Sequence, residues 1–149
     1  MAQDVTLTEL ASALIASFEG PPPMNSQGLY IPFQNGGGAW TIGKGHTKGI
    51  TASTPPATQA EVDEWFAEDQ APLFGFVGKL PLLEAAALVS FGFNCGLGAL
   101  QDVLAGRGVV EHYCHDAKEN VEPGLKTRRH LEAVLMALGQ QMTSPHPQT

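Results

Sequence analysis

The sequence predicts an α+β fold, with a small β-hairpin lobe and a predominantly helical lobe around a buried central helix. Three observations predict it. Asn35-Gly36-Gly37-Gly38-Ala39-Trp40-Thr41-Ile42 reads as a tight reversal entering a strand, because glycine reaches positive φ cheaply and strand side chains alternate between faces. Leu80 to Phe93 is apolar almost all round, the pattern of a helix enclosed on every side. Elsewhere apolar residues recur at helical spacing, in segments opened by capping boxes and closed by Gly or Pro. A length of 149 residues is one domain's worth, so the whole chain is read as a single domain with a disordered tail from about residue 143.

Taken in order, Thr6-Leu7-Thr8-Glu9 is a capping box, in which the Thr hydroxyl and the Glu carboxylate each satisfy an orphan amide. Leu7, Leu10, Ala11, Leu14, Ile15 and Phe18 then form one apolar stripe. Glu19 falls just past it, and Gly20 with Pro21-Pro22-Pro23 stops the helix. Pro21 to Gly28 is a loop. Leu29 to Phe33 is a short strand that Pro32 confines to an edge, and Gln34-Asn35 begin the turn into Trp40-Thr41-Ile42. Gly43 and Gly45 thin the strand where a ligand or another element comes close. Lys48 to Ala57 is a loop rich in Thr, Ser and Pro.

Thr58-Gln59-Ala60-Glu61 is a second capping box, opening a helix through Val62, Trp65, Phe66 and Asp69. Pro72 bends that helix or starts a new segment, and Gly78-Lys79 ends it. The central helix follows, with Pro81 in its first turn. Leu97 to Leu104 is a short helix ending at Ala105-Gly106, and Val109 to Lys118 is a weak, partly polar helical stretch. Leu125 to Leu138 is the last helix, with Leu131, Val134, Leu135 and Leu138 expected inward.

Composition excludes several classes of function. A net charge of -7 with eight Lys and Arg speaks against nucleic acid, which needs a basic stripe to displace counterions. No stretch approaches the roughly twenty apolar residues of a membrane span, so no stable membrane insertion is expected. Met1-Ala2-Gln3-Asp4 lacks the basic start of a secretory signal, which gives the expectation of synthesis in the cytoplasm. Gly38 to Lys44 matches much of a phosphate-cradling loop, but Gly45 stands where Ser or Thr is required and no helix pattern begins there. Cys95 and Cys114 form neither a disulfide framework nor paired ligands. His112 and His115 can share a helix face while Cys114 points elsewhere, so no metal and no cofactor is expected.

Four pieces in order carry a resemblance. They are Phe18-Glu19-Gly20 closing a helix, Thr41-Ile42-Gly43-Lys44-Gly45-His46-Thr47 after the hairpin, Ser90-Phe91-Gly92-Phe93-Asn94-Cys95-Gly96, and Gly124-Leu125-Lys126-Thr127-Arg128-Arg129-His130-Leu131-Glu132. Together they resemble the bacteriophage-type lysozymes, glycoside hydrolase family 24, from about Leu7 to Leu138. The resemblance implies a lysozyme-like fold and a muramidase that cuts peptidoglycan between N-acetylmuramic acid and N-acetylglucosamine. It implies action at the periplasm or cell wall after release, with a phage lysis partner or a secretion machine for delivery. The Pro21 to Gly28 loop resembles an insertion relative to compact members of the family.

The resemblance also assigns residues. Glu19 matches the catalytic acid, which partial burial beside Phe18 would help to keep protonated. Thr41 matches the threonine that holds the attacking water, and Asn35 falls where the family has a catalytic Asp. Arg128 matches the arginine that pairs with the acid, Asn94 a cleft-lining position, and His46 a histidine that pairs with a helix carboxylate, here Asp69. Tyr30, Trp40 and Trp65 are aromatics that stack on sugars or fill the core. Asn35 can orient a water or bind a sugar hydroxyl, but it cannot take the water's proton. Two readings therefore stand: a muramidase with Glu19 as acid and Thr41 and Asn35 placing the water, or a lysozyme-like module with reduced or no turnover that binds wall glycan or a protein partner.

Overall fold

The computed structural model describes residues 5–115 and 120–143. Its elements run α1 (Leu7–Glu19), β1 (Phe33–Gln34), β2 (Trp40–Thr41), α2 (Gln59–Val77), α3 (Leu82–Cys95), α4 (Leu97–Leu104), a 3-10 turn (Val110–His112) and α5 (Pro123–Thr143). Among the described residues, five helices and one antiparallel hairpin make an α+β fold. No described helix is long and apolar enough to cross a membrane. The chain divides into two compact units, one made of Ala16–Ala71 and the other of Met1–Ile15 with Pro72–Thr149. The expected disordered tail beyond Thr143 lies outside the described residues.

Both capping boxes form. Glu9 Oε2 accepts from the Thr6 amide at 2.9 Å while Thr6 Oγ1 accepts from the Glu9 amide at 3.2 Å. Glu61 and Thr58 repeat the exchange at 3.3 and 3.2 Å at the start of α2.

The Ala16–Ala71 unit is built on the hairpin. Phe33 pairs with Thr41 and Gln34 with Trp40, so the paired strand starts later than the Leu29–Phe33 expected. Tyr30 instead bridges Met24 on one side and Ala57 on the other. Tyr30, Ile42, Ala57 and Val62 form the unit's core, with Ile50 and Trp65 packed against it. Gly43 shows why glycine is needed there. Its φ is +60°, and a Cβ on it would stand 2.6 Å from Val62 Cγ1. At Gly43 the element that approaches the backbone is therefore α2.

In the other unit α3 is the central element. Every residue from Ala85 to Gly92 is buried, and α3 packs chiefly on α5 and also on α4. Two glycines permit close approach: a Cβ at Gly92 would meet Leu73 at 2.9 Å and one at Gly139 the Glu84 backbone nitrogen at 2.7 Å.

α2 runs through Pro72 without starting a new segment and ends at Val77, before Gly78-Lys79 as expected. Two expectations are corrected here. Of the helical stretch expected over Val109 to Lys118, the described residues 109–115 form only the 3-10 turn at Val110–His112, and residues 116–119 lie outside the described part. On α5, Leu131, Val134 and Leu138 are 40%, 39% and 44% exposed, while Arg128, Arg129 and Glu132 are buried. The face toward α3 is set by a buried charge cluster rather than by the apolar stripe.

Candidate active site

Glu19 is the last residue of α1, and Gly20 turns the chain out of the helix at φ +68°. Its side chain is exposed, not partly buried as expected, and Phe18 before it is half-buried. The loop that follows is internally tied: Asn25 Oδ1 accepts from the Gln27 and Leu29 amides at 3.0 Å each, and the Ile31 amide donates to the Pro23 carbonyl at 3.2 Å.

Asn35 holds the hairpin turn. Its Oδ1 accepts from the Gly37 amide at 2.9 Å and the Ala39 amide at 3.1 Å. Its own amide donates to the Ala39 carbonyl at 2.9 Å. The side-chain oxygen is thereby committed to backbone donors, and only the amide N–H₂ remains for a sugar or an incoming oxygen. Thr41 is buried, and its hydroxyl donates to the Ala39 carbonyl at 3.1 Å, keeping lone pairs with which to accept.

Of the two alternatives for Tyr30, the structure shows the core one. Its ring is in the core, and its hydroxyl donates to Gln59 Oε1 at 2.7 Å, so it supports the unit from inside. His46 is buried with Nδ1 2.9 Å from Asp69 Oδ2, and its ring stacks on Trp65 at 4.8 Å between centroids. Lys44 lies over the Phe66 ring at 4.8 Å and 3.8 Å from Asp63. These contacts fix strand to helix within the unit.

In the other unit, Arg128 is buried, and its Nη2 donates to the Ser90 carbonyl at 3.1 Å and to Ser90 Oγ at 3.2 Å. Its Nε stands 3.5 Å from Glu132 Oε2. Glu132 in turn accepts from the Ser90 hydroxyl at 2.5 Å, and its Oε1 is 2.6 Å from Arg129 Nε. The Arg129 N–H is not aimed at that oxygen, so the pair is a charge contact rather than a directed hydrogen bond. Burial pushes the Glu132 carboxyl up, opposed first by Arg129 and then by Ser90 and Arg128. Sequence reasoning assigned no role to Ser90, Arg129 or Glu132. The signal was present: Arg128 and Arg129 are four and three residues before Glu132, a spacing that shares a helix face.

Asn94 is exposed at the end of α3 and lines a pocket of about 390 Å³ with Cys95, His112, Tyr113, His115 and Leu125. Both cysteines are free thiols. Burial raises the Cys95 pKa, with the Arg129 guanidinium opposing, which makes it a poor nucleophile at neutral pH. Among the described residues no three His, Cys, Asp or Glu are grouped to hold a metal ion.

Comparison with known proteins gives three results. The phage lysozyme family model matches residues 28–132, which include Asn35, Thr41, His46, Asp69, Asn94 and Arg128 and start after Glu19. The active form of P1 phage endolysin Lyz superposes with a TM-score of 0.67 at 19% identity, over 89% of this chain and 85% of that one. The muramidase domain of SpmX from Asticaccaulis excentricus superposes with a TM-score of 0.66 at 26% identity, over 94% of this chain and 99% of that one. Comparison with curated proteins finds no match.

Proposed function

Because the chain belongs to the phage lysozyme family, we propose that it is a peptidoglycan hydrolase of the muramidase kind, cutting between N-acetylmuramic acid and N-acetylglucosamine. Glu19 protonates the leaving oxygen. Thr41 holds the oxygen that attacks C1, through the lone pairs left by its bond to Ala39, and Asn35 contributes its amide N–H₂. Peptidoglycan is the partner, reached after delivery by a lysis or secretion component. The observation that carries this reading is the family match together with the muramidase likeness over nearly the whole of both chains.

A second reading is favoured by one observation. Asn35 is uncharged and its Oδ1 is occupied by the turn, as suits a module that binds wall glycan with turnover lost. Purified sacculi separate the two. Release of soluble fragments whose new ends lie on N-acetylmuramic acid is expected; sacculi bound but left intact, or ends on N-acetylglucosamine, would contradict the muramidase proposal.

A further inference from the structure

The Ala16–Ala71 unit carries one carboxylate outside α2. Between Glu19 and Glu61 the sequence contains no Asp or Glu. Of the acids on α2, Glu61 is held by Thr58, Asp63 by Gln59 and Lys44, and Asp69 by His46. Glu64 and Glu68 are exposed on the side of α2 opposite the buried Val62 and Phe66. Asn35, on the turn, has no charge and offers no free side-chain oxygen to take a proton. Hydrolysis with inversion needs a second carboxylate to activate water, about 6.5 to 9.5 Å from the acid, and among the described residues of this unit none is placed on the hairpin.

We infer that the sugar's own hydroxyl takes the place of water, so that the principal product carries a 1,6-anhydro-N-acetylmuramic acid end. The inference rests on the muramidase reading for the bond and the acid, and departs from it in the attacking group, which is the sugar's own hydroxyl in place of water. Glu19 gives its proton to the glycosidic oxygen as the C1–O bond breaks and the electron pair passes to that oxygen, leaving N-acetylglucosamine with a free hydroxyl. The C6 oxygen of N-acetylmuramic acid then bonds to C1, and its proton passes to the Glu19 carboxylate. The acid ends as it began, no water is consumed, and nothing is oxidised or reduced. One carboxyl serves first as acid and then as base, the switch that retaining glycosidases also make.

Magnitudes favour this route. Lack of a general base costs about 10² to 10⁴ in rate, whereas a well-oriented intramolecular nucleophile reaches effective molarities of roughly 10⁵ to 10⁸ M. An attack already tethered to the reacting sugar can therefore outrun unassisted water. The buried Thr41 hydroxyl, fixed by its bond to the Ala39 carbonyl, can accept from the C6 hydroxyl and orient it.

The test is digestion of purified sacculi in heavy-oxygen water, followed by mass analysis of the new ends before and after borohydride reduction. Parent protein is expected to give ends lighter by one water, inert to borohydride and free of heavy oxygen. Asn35→Asp, whose carboxylate can take the water's proton, is expected to raise the share of reducing, heavy-oxygen ends by on the order of tenfold or more. Reducing ends carrying heavy oxygen from the parent would overturn this inference and leave the muramidase reading in place. No cleavage by the parent would overturn both.

Discussion

The Ser90 hydroxyl stands 2.5 Å from Glu132 Oε2, joining the middle of the central helix to the last helix through a fully buried carboxylate. Arg128 and Arg129 close on the same carboxylate at 3.5 and 2.6 Å. Removing Glu132 takes the counter-charge from the buried Arg129 guanidinium and one charged contact from Arg128. Glu132→Ala is expected to cost about 3 to 5 kcal/mol in denaturant unfolding. A loss under about 1 kcal/mol would mean that the cluster is not a structural tie.

The pH response of the same group has a definite sign. Burial raises the Glu132 pKa above the ordinary carboxylate value, so the folded state binds this proton more tightly than the unfolded chain does. Its contribution is fully present below the unfolded pKa and is lost as pH rises through the raised folded one. The stability of the parent relative to Glu132→Gln, which cannot titrate, should decline across that window and then level off. A difference that is flat from acid to neutral pH contradicts the assignment.

Gly43 makes a local prediction. Gly43→Ala places a Cβ 2.6 Å from Val62 Cγ1 at a φ of +60°, so strain and overpacking add. A loss of about 1 to 3 kcal/mol is expected. The two positions should also couple: Gly43→Ala should cost less in a Val62→Ala background than in the parent. Strict additivity in the double-mutant cycle would refute the contact.

At His46 the two contacts can be separated. The ring stacks on Trp65 at 4.8 Å and meets Asp69 at 2.9 Å. His46→Phe keeps the stacking surface and loses the polar contact; His46→Ala loses both. Thermal unfolding should rank parent above Phe above Ala. Equal midpoints for Phe and Ala would show that the stack contributes nothing.

Much of the fold was legible because local chemistry and tertiary packing agree. Thr6 with Glu9 and Thr58 with Glu61 cap where the sequence places them, and α4 ends at Leu104 before Ala105-Gly106. Periodicity failed on α5, where Leu131, Val134 and Leu138 share a stripe but Arg129 and Glu132 take the buried face. Hydrophobic period assumes that charge faces water, and a charge cluster that neutralises itself breaks that assumption. The strand beginning at Leu29 failed for a related reason: Tyr30 satisfies its backbone against Ala57 at 2.8 Å in both directions, a pairing between segments far apart in sequence. In the candidate site, positions were legible and states were not. The expected burial of Glu19 and the engagement of Asn35 Oδ1 by the turn depend on neighbours that spacing alone does not reveal.

The most direct measurement of the central claim compares the parent with Glu19→Gln for the rate of soluble glycan release from purified sacculi, with unfolding midpoints checked to be the same. Glu19 as the proton donor predicts a loss of about a hundredfold or more in the variant. Release at the parent's rate from a Glu19→Gln protein that remains folded would contradict it.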